Sequence, residues 1–172
     1  GEFSGKLYYF QNIAGAGNPV NFVLDSMNYA GIDVGSNATP FLVDMDRDND
    51  LDLIIGERNG NVNYFENMGD SITPNFLINT DSVGKIRILS LLINAGYTVP
   101  NVLDFNKDNK LDLVLGTYEG DVLFYSNIED QLNSKVEPIE NTYYNTKTTN
   151  FGNINYGKRS APALADFTNA CA

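Results

Sequence analysis

The stretch TPFLVDMDRDNDLDLIIGERNGNVNYFEN, residues 39–67, decides the fold of this chain. A short proline-led apolar segment leads into five aspartates at every second position. The apolar run LDLIIG and the aromatic run NVNYFEN follow. Short segments rich in β-branched and aromatic residues, separated by Gly, Asn and Pro, are typical of strands joined by turns. In the aromatic run, alternation puts Val62 and Tyr64 on one face, and Asn63 and Phe65 on the other. The stretch therefore predicts three consecutive strands.

The same pattern recurs along the 172-residue chain. The proline-to-glycine segment occurs at 39–56 and again at 99–116, and a third copy begins as APALADFTN at 161–169. The turn-and-aromatic segment occurs three times, as EFSGKLYYFQN (2–12), ERNGNVNYFEN (57–67) and TYEGDVLFYSN (117–127). Two glycines and one asparagine recur in register: Gly1, Gly5 and Asn12; Gly56, Gly60 and Asn67; Gly116, Gly120 and Asn127.

The spacing predicts three repeats of roughly 55–60 residues, each an all-β unit of four short antiparallel strands. Their expected bounds are 1–55, which starts within a unit, 56–115, and 116–172, which ends within its acidic loop. The fourth strand is expected in PNFLINT (74–80), and the run at 86–94 is also interpreted as strand because of its isoleucines. Repeated four-stranded units indicate β-propeller blades, here a segment of a larger ring of about six to eight. A β-sandwich with duplicated hairpins is the alternative.

Composition excludes several classes of function. The net charge of −11 argues against a nucleic-acid backbone or an anionic membrane surface as partner. The chain has no histidine, which removes the usual catalytic triads and most zinc sites. Its single cysteine, Cys171, cannot form an internal disulfide. The chain has no run of 18 apolar residues, so no membrane-spanning segment is predicted. Glu57 and Glu119 are interpreted as ordinary turn residues. The sequence shows no nucleophile–base pair, so an enzyme is not predicted.

The clustered aspartates predict a cation site. Carboxylates at every second position of a turn repel one another unless a cation neutralises them, and an all-oxygen ligand set suits Ca²⁺. Loop positions 1, 3, 5 and 9 are expected to supply side chains, and position 7 a backbone carbonyl. The first set is Asp44, Asp46, Asp48, Asp50 (backbone oxygen) and Asp52; the second is Asp104, Asn106, Asp108, Lys110 (backbone oxygen) and Asp112. The side chain of Asp50 is expected to face solvent. A solvated acidic turn without metal is the alternative.

A third loop is incomplete, with Asp166 and Thr168 at positions 1 and 3 and Ala170 at position 5. The loops are not EF-hands, because position 12 is Ile55 or Leu115 rather than glutamate and the flanks are strands. Two structural Ca²⁺ ions are therefore expected. Their affinity should lie in the weak extracellular range, on the order of 10⁻⁴–10⁻³ M.

With its proline-led strand, DxDxDxxxD loop, LDL(I/V)(I/L)G strand and aromatic strand ending in Asn, the sequence resembles the FG-GAP repeats, also called VCBS repeats. The resemblance covers nearly the whole chain. It implies calcium-loop propeller blades, with the ion between the first two strands of each blade. Position 6 departs from the family pattern, since Asn49 and Asn109 replace the usual glycine. Asparagine also accepts a left-handed backbone, which is expected there.

The resemblance implies a non-enzymatic, calcium-stabilised propeller segment of a secreted or cell-surface bacterial protein. Such a segment would serve as a scaffold or as an adhesion and recognition platform. The expected partners are other blades of the same protein, or other chains that complete the ring, and a glycan or protein ligand. A lectin-like propeller is the alternative, with six candidate tyrosines for stacking on sugars: Tyr8, Tyr29, Tyr97, Tyr118, Tyr143 and Tyr144. An accessory part of a polysaccharide-degrading enzyme is a weaker one.

Overall fold

The computed structural model describes residues 1–90, 93–134 and 160–163, and this part of the chain is mostly β. The strands are β1 (Tyr9–Asn12), β2 (Phe22–Ser26), β3 (Thr39–Val43), β4 (Asp52–Gly56), β5 (Val62–Asn67), β6 (Phe76–Thr80), β7 (Val99–Leu103), β8 (Asp112–Gly116) and β9 (Val122–Tyr125). Short 3₁₀ turns lie at Tyr29–Gly31, Val83–Lys85 and Ile128–Gln131. None of these helical turns, in the described ranges, is long and apolar enough to cross a membrane.

The strands form three antiparallel sheets in chain order. The first pairs β1 with β2, the second has the order β3-β4-β5-β6, and the third has the order β7-β8-β9. The second sheet therefore contains the four antiparallel strands expected of one repeat, three of them within residues 39–67. Equivalent registers join the inner strands, with Thr39 opposite Gly56 in one sheet and Val99 opposite Gly116 in the next. Across the described residues the sheets do not close into a barrel or a ring.

The two central strands of the second sheet, β4 and β5, are buried on both faces. Ile54 belongs to a hydrophobic cluster shared with the third sheet, whereas Leu53 and Ile55 belong to a cluster shared with the first-sheet region. β5 alternates as predicted, since Tyr64 lies in the first cluster and Phe65 in the second. Burial on both faces explains why LDLIIG reads as a continuous apolar run rather than as an alternation.

The recurring glycine marks a close contact with the segment that leads to the next recurring proline. A Cβ on Gly1, Gly56 or Gly116 would lie 1.9, 2.2 or 2.3 Å from the carbonyl oxygen two residues before that proline. Those carbonyls belong to equivalent positions, Ala38, Thr98 and Ser160. Because only glycine leaves room for the passing backbone, the sequence recurrence has a direct steric cause. The segment at 160–163 thus contacts the third sheet as the earlier repeats contact theirs.

The interpretation of residues 86–94 as a strand is wrong for the part that the structure describes. Residues 86–89 are irregular, and Ser90 forms only an isolated bridge with Ala95. Ile86 enters the core while Ile88 packs beside it, and the Ile88 N–H donates to the carbonyl of Gly60. The isoleucines are therefore explained by packing across the Gly60 turn, not by sheet pairing. The fourth strand expected in the third repeat falls outside the described residues.

Candidate metal centre

The first acidic loop, residues 44–52, joins β3 to β4 and is organised by its own carboxylates. Both oxygens of Asp44 accept backbone hydrogen bonds, from the N–H of Asp48 at 3.1 Å and from that of Asn49 at 3.1 Å. Asp46 accepts a second bond from the Asp48 N–H at 3.3 Å, and Asp48 accepts one from Asp50 at 3.0 Å. These bonds turn the side chains of Asp44, Asp46 and Asp48 towards a common centre, where their oxygens lie within 4.8 Å of one another.

The second loop, residues 104–112, repeats this geometry. Asp104 accepts from the N–H groups of Asp108 and Asn109 at 3.1 and 2.8 Å, as Asp44 does in the first loop. Asn106 replaces an aspartate, and its amide donates to Asp108 Oδ2 at 3.0 Å. Because asparagine is neutral, the second loop carries one negative charge less at this position. A hydrogen bond replaces the repulsion that a carboxylate would have there.

Both loops contain two residues with left-handed backbone. Asn49 and Asn109, at position 6, have φ of 75° and 64°, as the sequence analysis predicts. Position 4 is also left-handed, with φ of 66° at Arg47 and 63° at Lys107, which the sequence analysis did not foresee. Long basic side chains rarely adopt this conformation, so the loop closure must offset the local strain.

Position 9 is buried at the base of each loop. Asp52 and Asp112 are 1% and 0% exposed, and neither is part of the close group formed by Asp44, Asp46 and Asp48. Asp52 accepts bonds from the N–H of Met45, the hydroxyl of Tyr64 and the N–H of Asn67, at 2.9, 3.2 and 2.7 Å. Burial raises the pKa of Asp52, and the two backbone N–H groups oppose that rise.

Asp112 has the same two backbone donors one repeat later, the N–H groups of Phe105 and Asn127. Sequence reasoning missed this link between the loop and the end of the third strand. A signal for it exists, because an asparagine follows the position-9 aspartate by 15 residues in both repeats.

The first loop suits a calcium ion by its chemistry. Calcium ligands lie about 2.3–2.6 Å from the ion, so oxygens on opposite sides of one ion are separated by up to about 5 Å. The separation of 4.8 Å or less among the three carboxylates fits that range. Burial is the largest cause that raises the pKa of Asp46, and the charges of Asp48 and Asp44 contribute to the rise. A cation at the centre would relieve this repulsion.

The prediction that Asp50 faces solvent is wrong, since its residue is only 7% exposed. The left-handed Asn49 reverses the chain, and the Asp50 side chain lines a cavity together with Asn67 and Asp70. Its backbone remains in the loop, where its N–H donates to Asp48. The other position-7 residue, Lys110, forms an ion pair with Asp130 instead.

The two loops are connected to each other. Arg47 of the first loop donates to the carbonyl of Asn109 in the second, and its guanidinium pairs with Glu129 at 3.0 Å. Glu129 also accepts the N–H of Leu111 at 3.1 Å. The loops thus occupy the same end of adjacent sheets.

Among the six candidate tyrosines, Tyr29 lines the cavity beside Asp50. Tyr97 and Tyr118 face each other with ring centroids 5.6 Å apart, while Tyr29 stacks on Tyr9 at 4.9 Å, and Tyr8 is exposed. Tyr143, Tyr144, Asp166 and Thr168 lie outside the described residues.

The two turn glutamates have defined partners. Glu57 is buried, and its carboxylate accepts from the Asn59 amide at 3.1 Å. Glu119 accepts from the hydroxyl of Ser90. Glu57 is therefore not the ordinary solvated turn residue that the sequence suggested.

Comparisons of this chain with protein-family models, with curated proteins and with solved structures found no match.

Proposed function

We propose that this chain is a calcium-stabilised, non-enzymatic segment of a β-propeller. It would act as a scaffold or recognition platform in a secreted or cell-surface protein. The observation that carries the proposal is the equivalence of the two acidic loops, whose carboxylates accept the same backbone N–H groups one repeat apart. Two loops that converge on one geometry are hard to explain as incidental solvated turns.

In each loop, the side chains at positions 1, 3 and 5 and the backbone carbonyl at position 7 would hold one Ca²⁺. The side chain of Asp52 or Asp112 fixes the loop against its sheet. The bound ion supplies charge neutralisation, and the protein gains stability because the unfolded chain does not preserve the site.

The inner strands support the expectation that further blades complete the assembly. Val102 of β7 faces the second sheet and is 4% exposed, whereas its equivalent Leu42 in β3 is 54% exposed. The first sheet contains only β1 and β2. These two strands correspond to β5 and β6, the third and fourth strands of the second sheet. A pair of inner strands from another blade, in this protein or in another chain, would cover this apolar surface.

Calcium titration by calorimetry on EDTA-treated protein tests the proposal, with a melting curve at each step. Ca²⁺ should raise the melting temperature. Asp48→Asn and Asp108→Asn, matched substitutions at position 5, should each weaken one loop by about tenfold or more, since charge count sets affinity in such loops. Asp25→Asn, at an exposed position outside the loops, is the control. No change in melting temperature at millimolar Ca²⁺ would leave the acidic loops as solvated turns.

Carbohydrate binding is a second candidate, carried by the Tyr97–Tyr118 pair beside the guanidinium of Arg58, which lies 6.0 Å from the Tyr97 ring. Flat aromatic faces next to a hydrogen-bond donor are suited to sugar rings. A glycan-array screen of the wild type and of the Tyr97→Ala, Tyr118→Ala double variant checks this. Sugar binding that the double variant retains, or no sugar binding at all, would contradict the role of this pair.

A further inference from the structure

The side chain of Asp50 indicates a second kind of cation site beside the first loop. Asp50 is 93% buried, because its exposed fraction is 7%, and its Oδ1 has no hydrogen-bond partner among the described residues. A buried carboxylate oxygen without a partner costs several kcal/mol of solvation in general. Native structures satisfy such atoms with a donor, a water or an ion.

The surroundings of this oxygen are acidic and rich in oxygen. Asp50 lines a cavity of about 200 Å³ whose other polar walls are Asn49, Asn67, Asp70 and Ser71. Asp70 is held in place because its Oδ1 accepts the N–H groups of Ile72 and Thr73 at 2.8 and 2.7 Å. No lysine or arginine is among the residues that line the cavity. The polar wall thus presents two carboxylates and no positive charge of its own.

The second acidic loop carries a different pair of residues at the equivalent positions. Lys110 occupies the position of Asp50, and Asp130 follows Asn127 by three residues as Asp70 follows Asn67. The ammonium of Lys110 forms an ion pair with the Asp130 carboxylate. The second loop thus places the ammonium of Lys110 next to an acid, whereas the first loop places the carboxylate of Asp50 beside the same cavity as Asp70. Replacing Lys by Asp removes one positive charge and adds one negative charge at the same structural position.

We propose that a divalent, oxygen-preferring cation binds between the carboxylates of Asp50 and Asp70, in the position that the Lys110 ammonium takes one repeat later. Two carboxylates match the charge of one divalent ion, and carboxylate, amide and hydroxyl oxygens form the ligand set of Ca²⁺. This site is separate from the loop centre, to which Asp50 contributes only its backbone carbonyl. The proposal goes beyond the proposed function, because it holds whether or not the loops bind metal.

Exchanging the two residues tests the proposal on the full chain, with Ca²⁺ alone as the titrant in calorimetry. Asp50→Lys installs the arrangement of the second loop, so it should bind one Ca²⁺ fewer than the wild type. It should also melt at a higher temperature in EDTA. Lys110→Asp installs the arrangement of the first loop, so it should bind one Ca²⁺ more. The gained and lost ions are read as changes in stoichiometry.

Two further variants separate this site from the loop centres. Asp108→Asn should weaken only the second loop, so the double variant with Asp50→Lys should bind one Ca²⁺ fewer than the wild type and hold one of the remaining ions more weakly. Should Asp50→Lys fail to fold, Lys110→Asp still tests the proposal through its gained ion. Unchanged stoichiometry in both reciprocal variants would overturn the proposal. Loss of an ion in Asp50→Lys, with no effect of Asp108→Asn, would support it while contradicting the loop centres.

Discussion

The backbone N–H of Asn67 donates to Oδ1 of Asp52 at 2.7 Å, and so joins the base of the first acidic loop to the end of the third strand. Asn127 and Asp112 make the same bond at 2.9 Å in the following repeat. The position-9 aspartate is thus a structural residue in its own right, because it satisfies backbone donors that would otherwise be buried without partners.

We expect Asp52→Asn to destabilise the protein even without calcium. The new amide group would face N–H donors that need an acceptor, at a cost of about 2–3 kcal/mol in the free energy of unfolding. Urea unfolding in EDTA measures this, with Asp25→Asn as the control at an exposed position. Equal stability of the two variants in EDTA would show that Asp52 matters only for metal binding.

Asn106→Asp makes the second loop match the first in charge. Without calcium, the substitution removes the Asn106–Asp108 hydrogen bond and adds a carboxylate repulsion, so the melting temperature in EDTA should fall. With saturating calcium the extra charge should raise the affinity of that loop, by about tenfold. Melting curves in EDTA measure the expected loss of stability, and calorimetry with Ca²⁺ measures the expected gain in affinity. Asp46→Asn, the opposite exchange in the first loop, should show both effects in reverse.

Gly56→Ala tests the contact between the second and third sheets. The added Cβ would lie 2.2 Å from the Thr98 carbonyl oxygen and 2.6 Å from Thr39 Oγ1, so backbone must move. The free energy of unfolding should fall by about 2–3 kcal/mol. Gly15→Ala meets only the flexible Asn18 amide at 3.3 Å and should be nearly neutral. Similar stabilities of the two variants would mean that the repeats contact each other less rigidly.

Glu57→Gln should make stability less sensitive to pH. Burial is the main cause that raises the pKa of Glu57 above its ordinary value of 4.5, against the Asn59 and Asn61 amides. A carboxyl with a raised folded-state pKa favours folding below its ordinary pKa, and this contribution is lost as the pH rises through the raised value. The Gln variant should therefore unfold at higher urea than the wild type at pH 7–8, and the difference should close towards pH 4.

Glu2, at the equivalent position of the first repeat, provides a control of opposite sign. The Ser4 hydroxyl is the main cause that lowers the pKa of Glu2 below 4.5. Its charged form therefore favours folding above pH 4.5, and that contribution is lost as the pH falls through the lowered value. Glu2→Gln should slightly lower stability at neutral pH. Parallel shifts of both variants would contradict the assigned environments.

Much of the architecture was readable from local pattern. The alternation of Val62, Tyr64 and Phe65 correctly predicted their assignment to opposite faces, because side chains alternate along any strand. The left-handed position 6 was also predictable, since Asn tolerates that backbone. The isoleucines at 86 and 88 led to a wrong strand prediction. Apolar residues of the same types occur both in strands and in irregular segments that cross a core.

The sequence by itself determined the repeat, the strands within it and the loops where carboxylates meet, since each follows from the spacing of a few neighbouring residues. Only the tertiary structure decided that Asp50 turns inward, that Glu57 is buried and that Asp52 binds the end of a distant strand. Those outcomes depend on segments that approach one another across the fold. The direction and burial of a polar side chain are set by these non-local neighbours, which local spacing does not encode.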